Sequence, residues 1–249
     1  MSTTTARTAA LTIGAPVVLI GALLVGWQFV ALNYKSILPP IERIIAEFVE
    51  RPEFYITNLG ITLSTALAGF AFGAIVAIVL AVLVVHFRFL RAAVMPVALL
   101  LNVTPIVAIA PALVVAFGFN AIPHIIVAAI SAFFPMLINA ISGLQAIDPQ
   151  AEEVFRAMSA SRLEIFFRLR LPSSLPFLFA GARLSIAAAM IGAVVAEFFG
   201  TDEGLGAVIV MATTFLNLSQ MWAAILVSAL TSLALLGIVG LVERAVIRW

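Results

Sequence analysis

Six apolar stretches, near residues 12–33, 56–85, 92–117, 123–143, 175–198 and 220–242, decide what this chain can become. Each is as long as, or longer than, the ~20 residues a helix needs to cross the ~30 Å hydrocarbon core. A backbone in hydrocarbon must satisfy its own hydrogen bonds, so each stretch is expected to be a helix. The composition agrees: 64% of the 249 residues are hydrophobic and 10% charged, and mean hydropathy is +1.22. A soluble domain is only ~45–50% apolar. The expected fold is an all-α integral membrane protein with six transmembrane helices, residues 1–249 forming a single domain. Ile13 to Leu32 is long for a signal peptide and has no clear small-x-small cleavage site, so it is taken as a retained first span. The chain has no cysteine, which excludes disulfides and thiolate metal sites, and its net charge of +1 gives no bulk attraction to nucleic acid.

Charge sets the expected orientation. With both termini inside, Arg7, Arg88, Arg91, Arg156, Arg162, Arg168, Arg170, Arg244 and Arg248 fall in the cytoplasm, nine of the thirteen Lys and Arg residues. Lys35, Arg43 and Arg51 fall outside, beside acidic Glu197, Asp202 and Glu203.

Between the spans, residues 40–52 place Ile41, Ile44, Ile45, Phe48 and Val49 at helical spacing against Glu42, Arg43, Glu47 and Glu50, the pattern of an outer interfacial helix. Gly69, Gly73, Ala77 and Ala81 form a stripe of small residues in the second span, and Gly181, Ser185, Ala189 and Ala193 another in the fifth. Such stripes let helices approach closely, more simply inside one subunit than between two. Pro105 and Pro111 each remove a donor from the third span, which should kink or unwind there beside Asn102 and Thr104. After Glu197 a turn-rich segment leads to a stretch from Ala207 to Leu216 too short to span, read as a hairpin dipping back towards the bundle.

The segment 148–172 stands apart. It holds eight charged side chains in 25 residues: Asp148, Glu152, Glu153, Arg156, Arg162, Glu164, Arg168 and Arg170. Helix signals begin at Pro149, with Glu152 and Glu153 in the first turn. Val154, Phe155 and Met158 make one apolar patch, and a second helical stretch from Ser161 is expected to stop at Leu171-Pro172. Apolar knobs flanked by both signs of charge suit a short helix seated in a partner's groove.

This loop resembles the permease subunits of bacterial ATP-binding-cassette importers that work with a substrate-binding protein. Their pattern is E-A-A, three residues, G, nine residues, I-x-L-P. Anchored on Leu171-Pro172, the chain sets Glu153, Val154 and Phe155 at the triplet, Ser159 at the glycine and Leu169 at the isoleucine. The surrounding Ala160-Ser161-Arg162, Gly181-Ala182-Arg183-Leu184-Ser185, Val195-Ala196-Glu197-Phe198 and Gly204-Leu205-Gly206 are similar to the nitrate, sulfonate and taurine branch. So are Leu38-Pro39-Pro40 and the run from Thr104 to Pro111; Thr65 departs, standing where relatives often carry arginine.

The resemblance implies a MetI-like permease fold in the bacterial inner membrane, a permease homodimer, two cytoplasmic ABC ATPase subunits and an extracytoplasmic substrate-binding protein. Residues 148–172 would then be the cytoplasmic coupling loop, with Glu152, Glu153, Phe155, Arg156, Met158, Ser159, Arg162, Leu171 and Pro172 meeting the ATPase. ATP and magnesium would belong to that partner, and no Walker pattern occurs here. The solute would be small and polar or anionic, like nitrate, a sulfonate or taurine, or else a pyrimidine, thiamine-precursor or flavin-like compound. No catalytic or metal site is expected: there is no Gly-x-Ser-x-Gly or His-Glu-x-x-His, and His86 and His124 fall at opposite faces. Candidate pathway residues are Asn102, Thr104, Pro105, Asn139, Arg183, Glu197, Thr213, Thr214 and Asn217. For each, a structural role stands beside the functional one. Arg183 can snorkel and pair with Glu153 or the ATPase, Glu197 can cap the hairpin, and the amides and hydroxyls can bond between helices. Two other readings stay open on the residues alone, an ATP-independent secondary transporter or channel and a membrane scaffold for a soluble enzyme.

Overall fold

The computed structural model describes residues 3–34 and 38–247; the side chains of residues 3–13, 16 and 88 also lie outside the description. Arg7, Lys35, Arg88 and Arg248 of the charge argument are therefore outside the described side chains. Among the described residues every regular element is helical: α1 Thr3–Asn33, α2 Ile41–Glu50, α3 Pro52–His86, α4 Arg88–Val103, α5 Ile106–Phe117, α6 Ala121–Gln145, α7 Pro149–Ala157, α8 Arg162–Ile165, α9 Leu171–Ala196, α10 Leu205–Thr214 and α11 Leu218–Val246.

Four uninterrupted helical stretches in this described set are long and apolar enough to cross a membrane: Pro52–His86, Ala121–Gln145, Arg162–Ala196 and Leu218–Val246. The expected third span is not one straight helix. Phe89–Val103 and Ile106–Phe117 meet at 98° and count as a fifth crossing only if the bent pair is taken together. The reason is local. Pro105 has no N–H to continue the ladder and holds the residue before it away from helical backbone, and Thr104 sits at φ −71°, ψ 127°. The described apolar part of α1 is the shorter Val17–Asn33, so four spans, or five with the bent pair, are counted over the described residues.

The core is built around α6, which packs along both α3 and α9. The two small-residue stripes explain how. A side chain on Gly69 or Gly73 of α3 would run into Ala128 and Ala129 of α6, and one on Gly181 of α9 would meet Asn139 and Met136 of α6. Both stripes are therefore spent inside one subunit, against the same helix. Where the hydrophobic effect cannot drive association, this close approach supplies the dispersion contact that holds the bundle.

α2 is amphipathic as its spacing demands, but it is docked on protein. Ile44 is buried in a cluster with Tyr55, Leu205, Val208, Ala223 and Ala224, and Phe48 stacks on Tyr55 at 4.6 Å. Ile45 and Val49 remain exposed. Gln28 of α1 donates to Glu42 at 2.9 Å, and Trp27 Nε1 donates to the Pro39 carbonyl at 3.0 Å, tying α1 to the same corner.

Candidate functional site

Two constellations stand at opposite ends of the bundle: a buried polar knot around Glu197, and the charged loop of α7 and α8.

The knot forms where α9 ends and the chain turns back into α10. The first amides of any helix lack intrahelical carbonyl partners. Here three of them find side chains from elsewhere in the fold. Asn58 Oδ1 accepts from the Gly204 N–H at 2.8 Å, Thr62 Oγ1 from the Leu205 N–H at 2.8 Å, and Glu197 Oε2 from the Gly206 N–H at 2.9 Å. The Thr62 hydroxyl donates in turn to Glu197 Oε2 at 2.8 Å, closing the network. The carboxylate at the start of α10 also suits the positive end of the helix dipole. Glu197 is only 2% exposed, and its Oε1 has no hydrogen-bond partner among the described residues. Gly204 sits at φ +97°, and a side chain there would collide with the Glu197 carboxyl.

Beside the knot lies a cavity of about 230 Å³ lined by Ile61, Thr65, Asn120, His124, Glu197 and Glu203, among others. His124 is buried, and its Nε2 lies 3.0 Å from the Phe199 carbonyl. That contact assigns the proton to Nε2 and leaves Nδ1 as an acceptor in the neutral ring.

At the other end, Asp148 caps α7 by accepting from the Gln150 N–H at 2.9 Å. Glu152 bridges two arginines, Arg156 at 2.7 Å and Arg170 at 3.4 Å, the second joining α7 to the long helix that follows. The Arg156 hydrogen bond, aided by the nearby Arg170 charge, holds the Glu152 carboxyl below its ordinary range. α7 ends in a paired turn: the Ser159 N–H bonds the Arg156 carbonyl at 2.9 Å and the Ala160 N–H bonds the Phe155 carbonyl at 3.0 Å. This is the Schellman geometry, which needs a left-handed residue between the two bonds, and Ser159 has φ +59°. The turn explains in physical terms why a glycine would suit this position. Ser159→Gly should remove roughly 1 kcal/mol of backbone strain. The expected readout is slower amide hydrogen exchange at Ser159 and Ala160, by a factor of about five; faster exchange would contradict the strain argument.

A second capping device restarts the helix. The Ser161 hydroxyl accepts from the Glu164 N–H, and Glu164 Oε2 accepts from the Ser161 N–H. The expected stop at Leu171-Pro172 does not occur. The chain passes through a π-helical turn, Phe166–Arg170, directly into α9. Leu171 N–H reaches back five residues to the Phe166 carbonyl, and this wider turn absorbs the proline that would break a regular ladder. Leu171 and Pro172 are therefore half-buried parts of a continuous helix. Of the remaining loop candidates, Glu153, Arg156, Met158, Ser159 and Arg162 are exposed, and Glu152 and Phe155 half-buried. Val154, Met158, Leu163 and Phe167 are each more than half exposed.

The other candidate residues are not gathered into one site. Arg183 does not pair with Glu153; its guanidinium bonds Glu243 of α11. The Thr104 hydroxyl donates to the Leu100 carbonyl at 2.7 Å, the same carbonyl that receives the Thr104 N–H, and Thr104 and Pro105 are exposed with Asn102 at the α4–α5 corner. Asn139 donates to the Pro135 carbonyl at 2.8 Å within α6. Thr213 and Thr214 bond the Ile209 and Val210 carbonyls of their own helix, and Asn217 caps α11 through the Gln220 N–H. The knot residues Asn58 and Thr62 were not singled out from the sequence. A lone Asn or Thr in an apolar helix looks like ordinary interhelical glue. Their partners lie more than a hundred positions away, and only the Gly204-Leu205-Gly206 turn hinted that something must receive its amides.

Residues 69–248 match the family described as the binding-protein-dependent transport system inner membrane component. The chain belongs to this family. It is 32% identical over 187 residues to the formylaminopyrimidine transport permease of Halalkalibacterium halodurans, covering 74% of this chain and 75% of that one. It is 34% identical to the riboflavin transport system permease of Chloroflexus aurantiacus, covering 76% and 70%. It is 30% identical to an aliphatic sulfonates transport permease of Bacillus subtilis, covering 77% and 70%. Among solved structures, the inward-facing methionine ABC transporter has a similar fold, with a TM-score of 0.64 at 18% identity over 75% of this chain and 93% of that one. An amino acid ABC transporter crystallised with histidines gives a TM-score of 0.68 at 14% identity over 80% and 97%. The all-α fold and the membership together make this chain the multi-pass permease subunit of an ABC importer.

Proposed function

We propose that the chain works as a homodimer that carries a small polar solute inward, taking it from a binding protein on the outer side and driven by two ATPase subunits on the inner side. Both termini and the 148–172 loop face the cytoplasm in this reading, and the knot with its cavity faces out. The single observation that carries it is the exposed apolar face of the loop, Val154, Met158, Leu163 and Phe167, held out by a doubly bridged Glu152. An apolar surface displayed on a rigid, charge-rimmed helix beyond the spans is what a groove on a soluble partner requires. Glu153, Arg156 and Arg162 form its polar rim, and ATP with magnesium is bound by the partner. The names of the relatives divide the solute between nitrogen heterocycles and aliphatic sulfonates, so both a sulfonate-like and a pyrimidine- or flavin-like cargo fit the family.

Co-purification of tagged permease with its ATPase, followed by uptake in vesicles supplied with the binding protein, tests this reading. Glu153→Arg reverses the charge of an exposed rim residue without touching the Glu152 bridge. Association and ATP-dependent uptake should both fall, by about tenfold or more for a partner-facing charge. Uptake that continues with the ATPase absent would replace the importer with a secondary transporter.

A further inference from the structure

A cavity of about 420 Å³ lies behind the charged loop, between the end of α3 and the turn from α7 to α8. Its charged lining is Arg156 from α7, Arg162 from α8, Arg170 from the π-turn and one carboxylate, Glu152, with His86 of α3 beside them. Both oxygens of that carboxylate are taken, Oε1 by Arg156 at 2.7 Å and Oε2 by Arg170 at 3.4 Å. A guanidinium carries five N–H donors, so Arg156 and Arg170 each keep most of theirs. The Arg162 side chain has no hydrogen bond or ion pair among the described residues. These groups are reachable: the Arg156 and Arg170 side chains are 70% and 24% exposed, and Arg162 and His86 are exposed. Three guanidiniums less one carboxylate leave the lining a surplus of +2. The cavity is not the apolar face offered to the ATPase. Glu152 and Arg156, four residues apart, share one face of α7, and Val154 and Met158, offset from them by two, fall ~200° round the helix. Val85 and Ile165 supply the apolar wall, and His86 closes α3 just where the apolar run 56–85 gives way to charge. That is the level of the lipid headgroups, outside the ~30 Å hydrocarbon core.

We propose that this cavity binds a phosphate group, held by Arg156, Arg162 and Arg170, the phosphate being either the headgroup of an anionic lipid in the adjoining leaflet or free phosphate. Guanidinium forks match phosphate oxygens in pairs, and the negative charge meets a surplus that the fold leaves uncompensated. Basic pockets at the cytoplasmic ends of membrane helices seat phosphate headgroups on the same physics. The cavity has room for more than the phosphate itself, since about 420 Å³ lies within the ~300–1,000 Å³ of small-molecule pockets. The proposal goes beyond the importer reading and takes from it only the orientation that makes the leaflet the inner one. A ligand shared by α7, α8 and the π-turn joins three elements and steadies the loop, so binding raises the thermal midpoint.

The test uses the whole permease in nanodiscs and has two arms. In the first, phosphatidylglycerol is titrated into phosphatidylcholine discs, and native mass spectrometry counts the phosphatidylglycerol molecules that stay on the released protein. In the second, inorganic phosphate is added to pure phosphatidylcholine discs, and the thermal midpoint is followed against sodium chloride of equal ionic strength. Saturable binding is expected in at least one arm, the first assigning the site to a lipid headgroup and the second to free phosphate. Arg162→Gln and Arg156→Gln should each weaken the bound probe about tenfold. Both side chains are exposed, so the bundle is spared. Arg168→Gln removes the same charge from an exposed arginine outside the lining and should bind as wild type does. Three results would overturn the proposal: neither probe binding to wild type, which leaves the cavity to an acidic side chain of a partner; both lining variants binding undiminished; or Arg168→Gln weakening binding as much as Arg162→Gln, which reduces the effect to general charge attraction. Neither ATP nor the ATPase enters this measurement, so its failure is distinct from loss of ATP-driven uptake, which would sink the importer reading itself.

Discussion

Gly206→Val should abolish the folded protein or leave it recoverable only in traces. A Cβ at this position is driven into the backbone carbonyl oxygen of Val194 and towards the Glu197 Cβ, and neither is the free end of a flexible chain. Relief requires moving α10 away from the end of α9. That would break the Gly206 amide contact with Glu197 and uncap the helix. Overpacking alone costs about 1–3 kcal/mol, and an unsatisfied backbone group at membrane depth adds several more. Together these approach the whole stability of a typical domain, about 5–15 kcal/mol. The measurement is the monodisperse yield and thermal midpoint of the detergent-solubilised variant beside Gly237→Val, a control whose added side chain meets open space. A Gly206→Val protein as stable as that control would show that α10 is not held where the structure puts it.

Glu197→Ala should have the second largest effect. Alanine deletes the acceptor shared by the Thr62 hydroxyl and the Gly206 amide, both buried. Hydrogen bonds to a charged group are worth ~1.5–3 kcal/mol each, so a loss of about 3 kcal/mol is expected, with the hairpin loosened before the rest of the bundle. Glu197→Gln keeps that acceptor and should lose far less. A double-mutant cycle with Thr62→Val gives the check: the two substitutions should fall well short of additive because they break one network. Additive losses would mean the knot is two unrelated contacts.

The division between what could and could not be read from the residues follows the range of the physics involved. Composition and the length of the apolar runs fix a helical membrane protein, and the stripes Gly69/Gly73 and Gly181/Ser185 announce close helix packing because small residues in lipid have few other uses. They do not name the partner. That both lean on α6 depends on three-dimensional arrangement, and it appears only when Ala128, Ala129, Met136 and Asn139 are seen against them. The proline at 105 was legible as a disruption, but a sequence carries no angle, and the 98° corner comes from how α4 and α5 are seated. Pro172 misled in the opposite direction. A proline normally ends a helical stretch, yet a single π-turn of five residues absorbed it, and that turn leaves no clear mark in the residues Phe166 to Arg170. Arg183 was legible as a charge needing a partner; the choice of Glu243 over Glu153 was made by the packing of α11 on α9.

The unbroken run from Ser161 to Glu197 has a mechanical consequence. Thirty-five residues, Arg162–Ala196, at 1.5 Å each make a rod of roughly 50 Å. Its lower end is clamped to α7 by the Arg170–Glu152 contact, and its upper end holds the carboxylate that ties down α10. Its middle is seated along α6, and the places where a long helix can bend, the π-turn at Phe166–Arg170 and Pro176, lie near its loop end. A displacement of the charged loop would therefore meet the seat of the hairpin through one continuous helix, with no loop between the two ends to take it up.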